Sequence, residues 1–415
     1  MIKQILLVGA AAVLLASCGW NDDIPKEASV QTIDIAQGEG FAERLQTALI
    51  TADAGTTIVM PEGTYSFSDG LSLDVKGVTL RGAGEDKTFL DFAGQKGAGE
   101  GLLVTSEGVT LRDFTIRDTA GDGIKSKNAD NITYRDLTVE WSGEPSEDSG
   151  AYGVYPVESS NVLVDGVTVR GASDAGIYVG QSTNIIVRNS LAEYNVAGIE
   201  IENSTYADVY GNTARHNTGG ILIFDLPNLP IMGGHSNRVF NNAITDNNTR
   251  NFAPVGNIVA TVPSGTGVLI MANENVHVFG NSFANNRTVQ VAISAYLEPF
   301  DDDSYNPLPR NIVVQHNNYS GGGDDPQGLM AVLAAGLGGQ LPALVWDGVT
   351  SWDGGAPTDV NMSINELDEV GFVSLGLGSY PLDPTKIRPS MDRPTGTAKA
   401  EPTPIVLAHD FKSSD

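Results

Sequence analysis

A short phrase of alternating apolar and polar residues returns along most of this chain, and its spacing constrains the fold more than any other feature. It reads Gly108-Val-Thr-Leu-Arg-Asp, Asn131-Ile-Thr-Tyr-Arg-Asp, Asn161-Val-Leu-Val-Asp-Gly, Asn184-Ile-Ile-Val-Arg-Asn, Ala207-Asp-Val-Tyr-Gly-Asn and Asn237-Arg-Val-Phe-Asn-Asn, with later copies near Val276 and Ile312. A second phrase, glycine followed by Ile or Val, is interleaved at Gly123, Gly153, Gly176, Gly198, Gly220 and Gly267, with a degenerate copy near Ala292. Uninterrupted coils are 22 or 23 residues long, as from Asn161 to Asn184 to Ala207. That period is too short for a two-helix repeat, and alternation with period 2 marks strands. Three short strands and three corners of Gly, Asn, Asp and Ser fill one coil. Coils stacked about 4.8 Å apart pair every strand in parallel with its equivalents above and below, which satisfies the backbone. The expected fold is therefore all-β, a right-handed parallel β-helix of about ten coils with inward ladders of Ile, Val and Leu. A leucine-rich-repeat horseshoe is the competing solenoid, and its Leu-x-x-Leu-x-Leu pattern is missing. Asn189, Asn212, Asn242, Asn281 and Asn317 are expected to stack at one recurring corner.

An open stack leaves unpaired strand edges, so a cover is expected at each end. Phe41 to Ile50 reads as an amphipathic helix with Phe41, Leu45 and Leu49 on one stripe, suited to the first cap. The Ala-, Leu- and Gly-rich stretch from Leu329 to Leu344 is the expected second cap. Beyond residue 352 come Pro357, Pro381, Pro384, Pro389, Pro394, Pro402 and Pro404, which predict an irregular tail. The organisation is then a signal segment over 1–17, a linker over 18–40, a capped solenoid over 41–350 and a Pro-rich tail over 351–415.

The signal segment has a cation, Lys3, an apolar run from Ile5 to Leu15 and then Leu15-Ala-Ser-Cys18-Gly. The run is too short to span a bilayer, and Cys18 stands where a lipobox places its lipidated thiol. The alternative is an ordinary signal peptide with a chance cysteine. Gly19 follows Cys18, and Asp first appears at Asp22 and Asp23, so a lipid anchor in the outer membrane is expected over the inner membrane. Cys18 is the only cysteine, so lipidation leaves none for a disulfide, a thiol nucleophile or covalent haem. The formal charge is −27, and removal of Lys3 with the signal segment makes it −28. Such a surface repels nucleic acid and anionic lipid at close range, so nucleic acid is not an expected partner.

Insertions fall at only two corners: Ser142 to Ala151 and Asn247 to Ser264 before the glycine-led strand, Asp225 to Ser236 and Leu297 to Arg310 after it. Loops on both rims of a strand face frame a groove. With Ile124, Val154, Ile177, Ile199 and Ile221 inward, the outward residues are Lys125, Lys127, Tyr155, Val157, Tyr178, Glu200, Glu202, Leu222 and Phe224. This mixture suits a saccharide or protein partner, although strand faces also carry Tyr, Lys and Glu passively. Glu200 and Glu202 lie two apart on one strand, roughly 6–7 Å, a separation that inverting glycosidases use; two solvated glutamates are the bland alternative. Lys125 or Lys127 with Tyr155 or Tyr178 would suit uronate lyase or epimerase chemistry, which needs a cation for the carboxylate and a base for the α-proton. Asp225 and the run Asp301, Asp302, Asp303 lie in rim loops, where the run offers Ca²⁺ a harbour without an EF-hand spacing. No metal or cofactor is otherwise expected. His216, His235, His277 and His316 form no metal-binding motif, and neither G-x-S-x-G nor a Walker loop is present.

The phrases Gly150-Ala-Tyr-Gly-Val-Tyr-Pro-Val157, Ala172-Ser-Asp-Ala-Gly-Ile-Tyr-Val-Gly-Gln181, Glu193-Tyr-Asn-Val-Ala-Gly-Ile-Glu-Ile-Glu-Asn203, Thr218-Gly-Gly-Ile-Leu-Ile-Phe-Asp-Leu-Pro227 and Gly256-Asn-Ile-Val-Ala-Thr-Val-Pro263 resemble a family of exported parallel β-helix repeat-containing proteins. The resemblance covers about residues 55–330. It implies an envelope protein without an assigned reaction, often encoded beside a c-type dihaem cytochrome, and hence a possible cytochrome partner. More distantly the fold is similar to pectate lyases, polygalacturonases and mannuronan epimerases. The Gly-His-Gly, Asp-Pro-His-Asp and calcium-aspartate motifs that would mark those enzymes are missing, so no catalytic residue carries over.

Overall fold

The structure, a computed structural model, describes residues 31–97 and 99–410. The signal segment and Cys18 lie outside the described residues. Among these, no helix is long and apolar enough to cross a membrane.

Strands pair in parallel from coil to coil. One sheet of eleven strands takes the glycine-led phrase, and a sheet of twenty strands wraps the other two sides of the solenoid. The smaller sheet alone stacks eleven strands, so the solenoid has more coils than the expected ten. The register is that of the alternation. Ile124, Val154, Ile177, Ile199, Ile221, Val268, Val291, Leu344 and Phe372 form one inward column. Val164, Val187, Val209, Val239, Val278, Val314 and Ile364 form another on the larger sheet. All are buried, and each fully buried side chain of this kind contributes about 1.5–3 kcal/mol by leaving water. The glycine heading each smaller-sheet strand is sterically required: a Cβ on Gly198 would stand 2.5 Å from the Gly220 carbonyl oxygen of the next coil.

Polar ladders hold the corners. Asn212, Asn242, Asn281 and Asn317 pass amide bonds up the stack at 2.9–3.0 Å, and Asn317 ends on Glu366 at 2.8 Å. Asn189 is not a rung. It occupies the left-handed corner position (φ 52°) that Gly211 takes in the next coil, and Ser190 fills the ladder position by donating its N–H to Asn212 Oδ1 at 3.0 Å. A second ladder, Asn195, Asn217, Asn247 and Asn286, was not expected.

The helix Phe41–Thr51 buries Phe41, Leu45 and Leu49 in the core, as the first cap should. The second expected cap sits elsewhere. Helix Leu329–Gly336 joins Ala292, Val345 and Val373, which alternate with the inward Val291, Leu344 and Phe372, so it covers the outer side of the sheet and not its end. The solenoid also continues past residue 350: Ser363–Asn365 pairs with Val313–Gln315, and Phe372–Ser374 with Leu344–Trp346. Three-residue strands between prolines left too little alternation to read. The final segment lies against the larger sheet, with Asp410 on Arg188 (2.7 Å), Glu401 on Arg238 (2.6 Å) and Leu407 against Leu163 and Ile186.

Candidate functional site

The rim insertions stand where the spacing put them, yet they do not leave an open groove. Phe252, Ile258, Val259 and Val262 from the loop before the sheet, Leu226 and Met232 from one after it, and Phe300 and Tyr305 from another pack over the outward side chains. Leu222 and Phe224 are outward-facing and fully buried, so Phe224 anchors the protein's own loops. Phe224 as a ligand contact is thereby corrected: apolar rim loops close on the apolar end of the face because leaving both in water is costlier.

The other end of the face is built differently. Tyr152, Tyr155 and Tyr178 gather with ring centroids 4.5–4.9 Å apart, and Tyr155 also carries Lys125 over its ring at 4.9 Å. Tyr178 donates to Glu202 at 2.7 Å. It can lie along the strand because the next outward position is Gly180, where a Cβ would meet the Tyr178 ring at 2.4 Å. Asp174, at the corner before its strand, accepts from Tyr152 (3.3 Å) and from Asn257 of the long loop (3.0 Å). Glu200 lies beside Tyr178 in register, is 1 % exposed, and neither carboxyl oxygen has a hydrogen-bond partner.

Burial first, and then repulsion from neighbouring carboxylates, which for Asp174 is that of Asp122, push the three carboxyls up: Glu200 well above the usual range, Glu202 and Asp174 to about 7. Burial also raises Tyr152 and Tyr178, and Tyr155 to about 12, so none of the three is a ready phenolate base. Asp122, half-buried beside Lys125, is carried to about 6 by desolvation. Lys125 is held by Glu100 (3.4 Å) and Asp122 (3.7 Å), and Lys127 by Glu158 (3.2 Å).

Of the residues singled out from sequence, Lys125, Tyr155, Tyr178, Glu200 and Glu202 come together, while Lys127 stands at the edge. Asp225 instead ties its own loop, accepting from the Gly233 and Gly234 amides at 2.8–3.1 Å. Asp301 and Asp303 are exposed, and Asp302 accepts from Ser304. Among the described residues no group of three or more His, Cys, Asp and Glu side chains converges as a metal site would. Tyr152, Asp174 and Asn257 were missed. The first two precede the glycine at which the strand alternation was read, and Asn257 reaches Asp174 only through the fold of its loop. A surface cavity of about 580 Å³ opens between Glu144–Glu147 and residues 249–255, but no member of the cluster lines it.

Residues 100–248 and 146–306 match the family described as right handed beta helix region. Among solved structures, the chain is similar to the A-modules of two mannuronan C-5 epimerases of Azotobacter vinelandii. AlgE4 matches with TM-score 0.53 and 15% identity over 88% of this chain and all of that one; AlgE6 matches with TM-score 0.50 and 15% identity over 83% and 94%. An alginate lyase of Paenibacillus sp. str. FPU-7 matches at TM-score 0.48 and 18% identity over 70% and 97%. No curated protein matches the chain in sequence.

Proposed function

The chain is a right-handed β-helix protein, and on that footing we propose that it acts on a polysaccharide at the cluster of Tyr152, Tyr155, Tyr178, Asp174, Glu200 and Glu202. One observation carries the reading: three carboxyls that resist ionisation share a face with three packed tyrosine rings. Rings of this kind bind sugar faces, and a carboxyl kept protonated near neutrality is the group that can donate to a glycosidic oxygen. A second carboxyl about 6–7 Å away, as Glu200 and Glu202 are by strand geometry, leaves room for a water between acid and base. In this scheme the partly buried Tyr152 and Tyr155 receive the sugar, one of Glu200 and Glu202 donates its proton to the glycosidic oxygen, and the other, once ionised, takes the proton of the attacking water. The epimerases similar in fold act, by their names, on mannuronan; that similarity supports the fold and leaves the reaction to the cluster.

The test is a panel of polysaccharides scored for new reducing ends and for ultraviolet-absorbing unsaturated products. Turnover by the native protein and its loss in Glu202→Gln is the expected result; no turnover and no binding on any member would refute the reading. The burial of Glu200 favours a second reading, a binding module without turnover, which predicts retention on a glycan that is never cut.

We further propose that Cys18 is lipidated and anchors the protein in the outer membrane, and that a c-type dihaem cytochrome docks on it. The lipobox and the charge of −28 after processing support these readings, since that charge favours a basic partner. Cys18→Ala should release the protein to the soluble fraction, and a haem-staining partner should co-purify at low salt and be lost at high salt.

A further inference from the structure

We propose that the glycan accepted at this cluster carries no acidic groups, so that the polyuronates are excluded; the inference rests on the polysaccharide reading above. Recognition of a uronate needs an unspent cation where its carboxylate sits. The sheet face offers two cations, and both are already engaged. Lys125 lies between Glu100 and Asp122 with its ammonium over Tyr155, and Lys127 is paired with Glu158. Arg310, on the far rim, is taken by Glu274 at 3.0 Å.

The charged side chains left on the face itself are acidic, and Arg250 of the rim loop lines a separate cavity with Glu144 and Glu147. An incoming carboxylate would have to enter the water-poor surroundings of Asp174, Glu200 and Glu202, where burial already disfavours the charged form of each carboxyl. Hydroxyls fare differently. Glu200 is buried with both oxygens unpartnered, a donor and acceptor aimed into the cluster that only a ligand or water can satisfy. Tyr152 and Tyr155 present ring surface that stacks on an uncharged pyranose. A protonated acid bonding to a hydroxyl needs no counter-ion, whereas a uronate would have to break the Lys125 pairs first.

Affinity electrophoresis of the full chain against soluble glucan, mannan and xylan on one side and alginate and polygalacturonate on the other tests this at low and at high salt. We expect retention by an uncharged glycan that is indifferent to salt and abolished by Tyr155→Ala, with polyuronates at least about tenfold weaker. The double variant Glu100→Gln, Asp122→Asn unpairs Lys125 and should raise polyuronate affinity about tenfold at low salt, with far-ultraviolet circular dichroism unchanged. Tighter binding of a polyuronate than of every uncharged glycan, lost in Tyr155→Ala, would overturn the inference while leaving the polysaccharide reading standing. Binding of neither class overturns both.

Discussion

Glu202→Gln isolates the ionisation that the site suppresses. The glutamate is 7 % exposed, and burial moves its carboxyl from an ordinary 4.5 to about 7. The folded chain therefore keeps a proton that the unfolded chain sheds between pH 4.5 and 7. Unfolding free energy must fall as pH rises through that window and level off above it. At 1.36 kcal/mol per pH unit the native charge costs up to about 3 kcal/mol at pH 8 and nothing at pH 4. Glutamine can accept the Tyr178 hydroxyl through its carbonyl oxygen, but its amide adds donors without a partner, a cost of about 1 kcal/mol at every pH. The variant should thus be about 1 kcal/mol less stable than the native chain at pH 4 and about 2 kcal/mol more stable at pH 8. Urea unfolding at the two pH values, followed by circular dichroism and by tryptophan fluorescence, measures the difference and checks that both probes report one transition. The same stability change at both pH values, within about 0.5 kcal/mol, would show that Glu202 is ionised in the folded protein and would remove the acid from the proposed chemistry.

Gly180→Ala should displace the buried Tyr178 ring and break its bond to Glu202, abolishing glycan binding or turnover and lowering the unfolding free energy in urea by about 1–3 kcal/mol; unchanged binding would show that the Tyr178–Glu202 bond does not shape the site. Asn242→Ala removes the middle rung of a buried ladder and orphans the Val209 carbonyl and the Asn212 amide groups, so it should cost about 3 kcal/mol or more in urea unfolding; a loss under 1 kcal/mol would mean water replaces the rung. Deleting residues 397–415 strips Leu407 from Leu163 and Ile186 and removes Asp410 from Arg188 and Glu401 from Arg238, which keep Asp165 and Asp208, so unfolding should become easier by about 2 kcal/mol with glycan binding intact; an unchanged midpoint would show that the segment contributes nothing.

The repeating phrases by themselves determined the coil, its register and its inward columns, because period-2 alternation is local and stacking copies it from one coil to the next. They also placed the four insertions at two corners, and so located the face where Lys125, Tyr155, Tyr178, Glu200 and Glu202 meet. Tertiary structure alone decided the rest. Whether an insertion frames a groove or closes it depends on where Phe252, Val259, Phe300 and Tyr305 find apolar surface, and they find it on Leu222 and Phe224, far away in the chain. Asn189 could not be told from a rung until the left-handed corner next to it was known, since a shift of one residue moves a side chain from the ladder to the outside. The carboxyls are the sharpest case. Two glutamates alternating with isoleucine read the same whether water or protein covers them, and only their burial in the fold raises their carboxyls above the usual range.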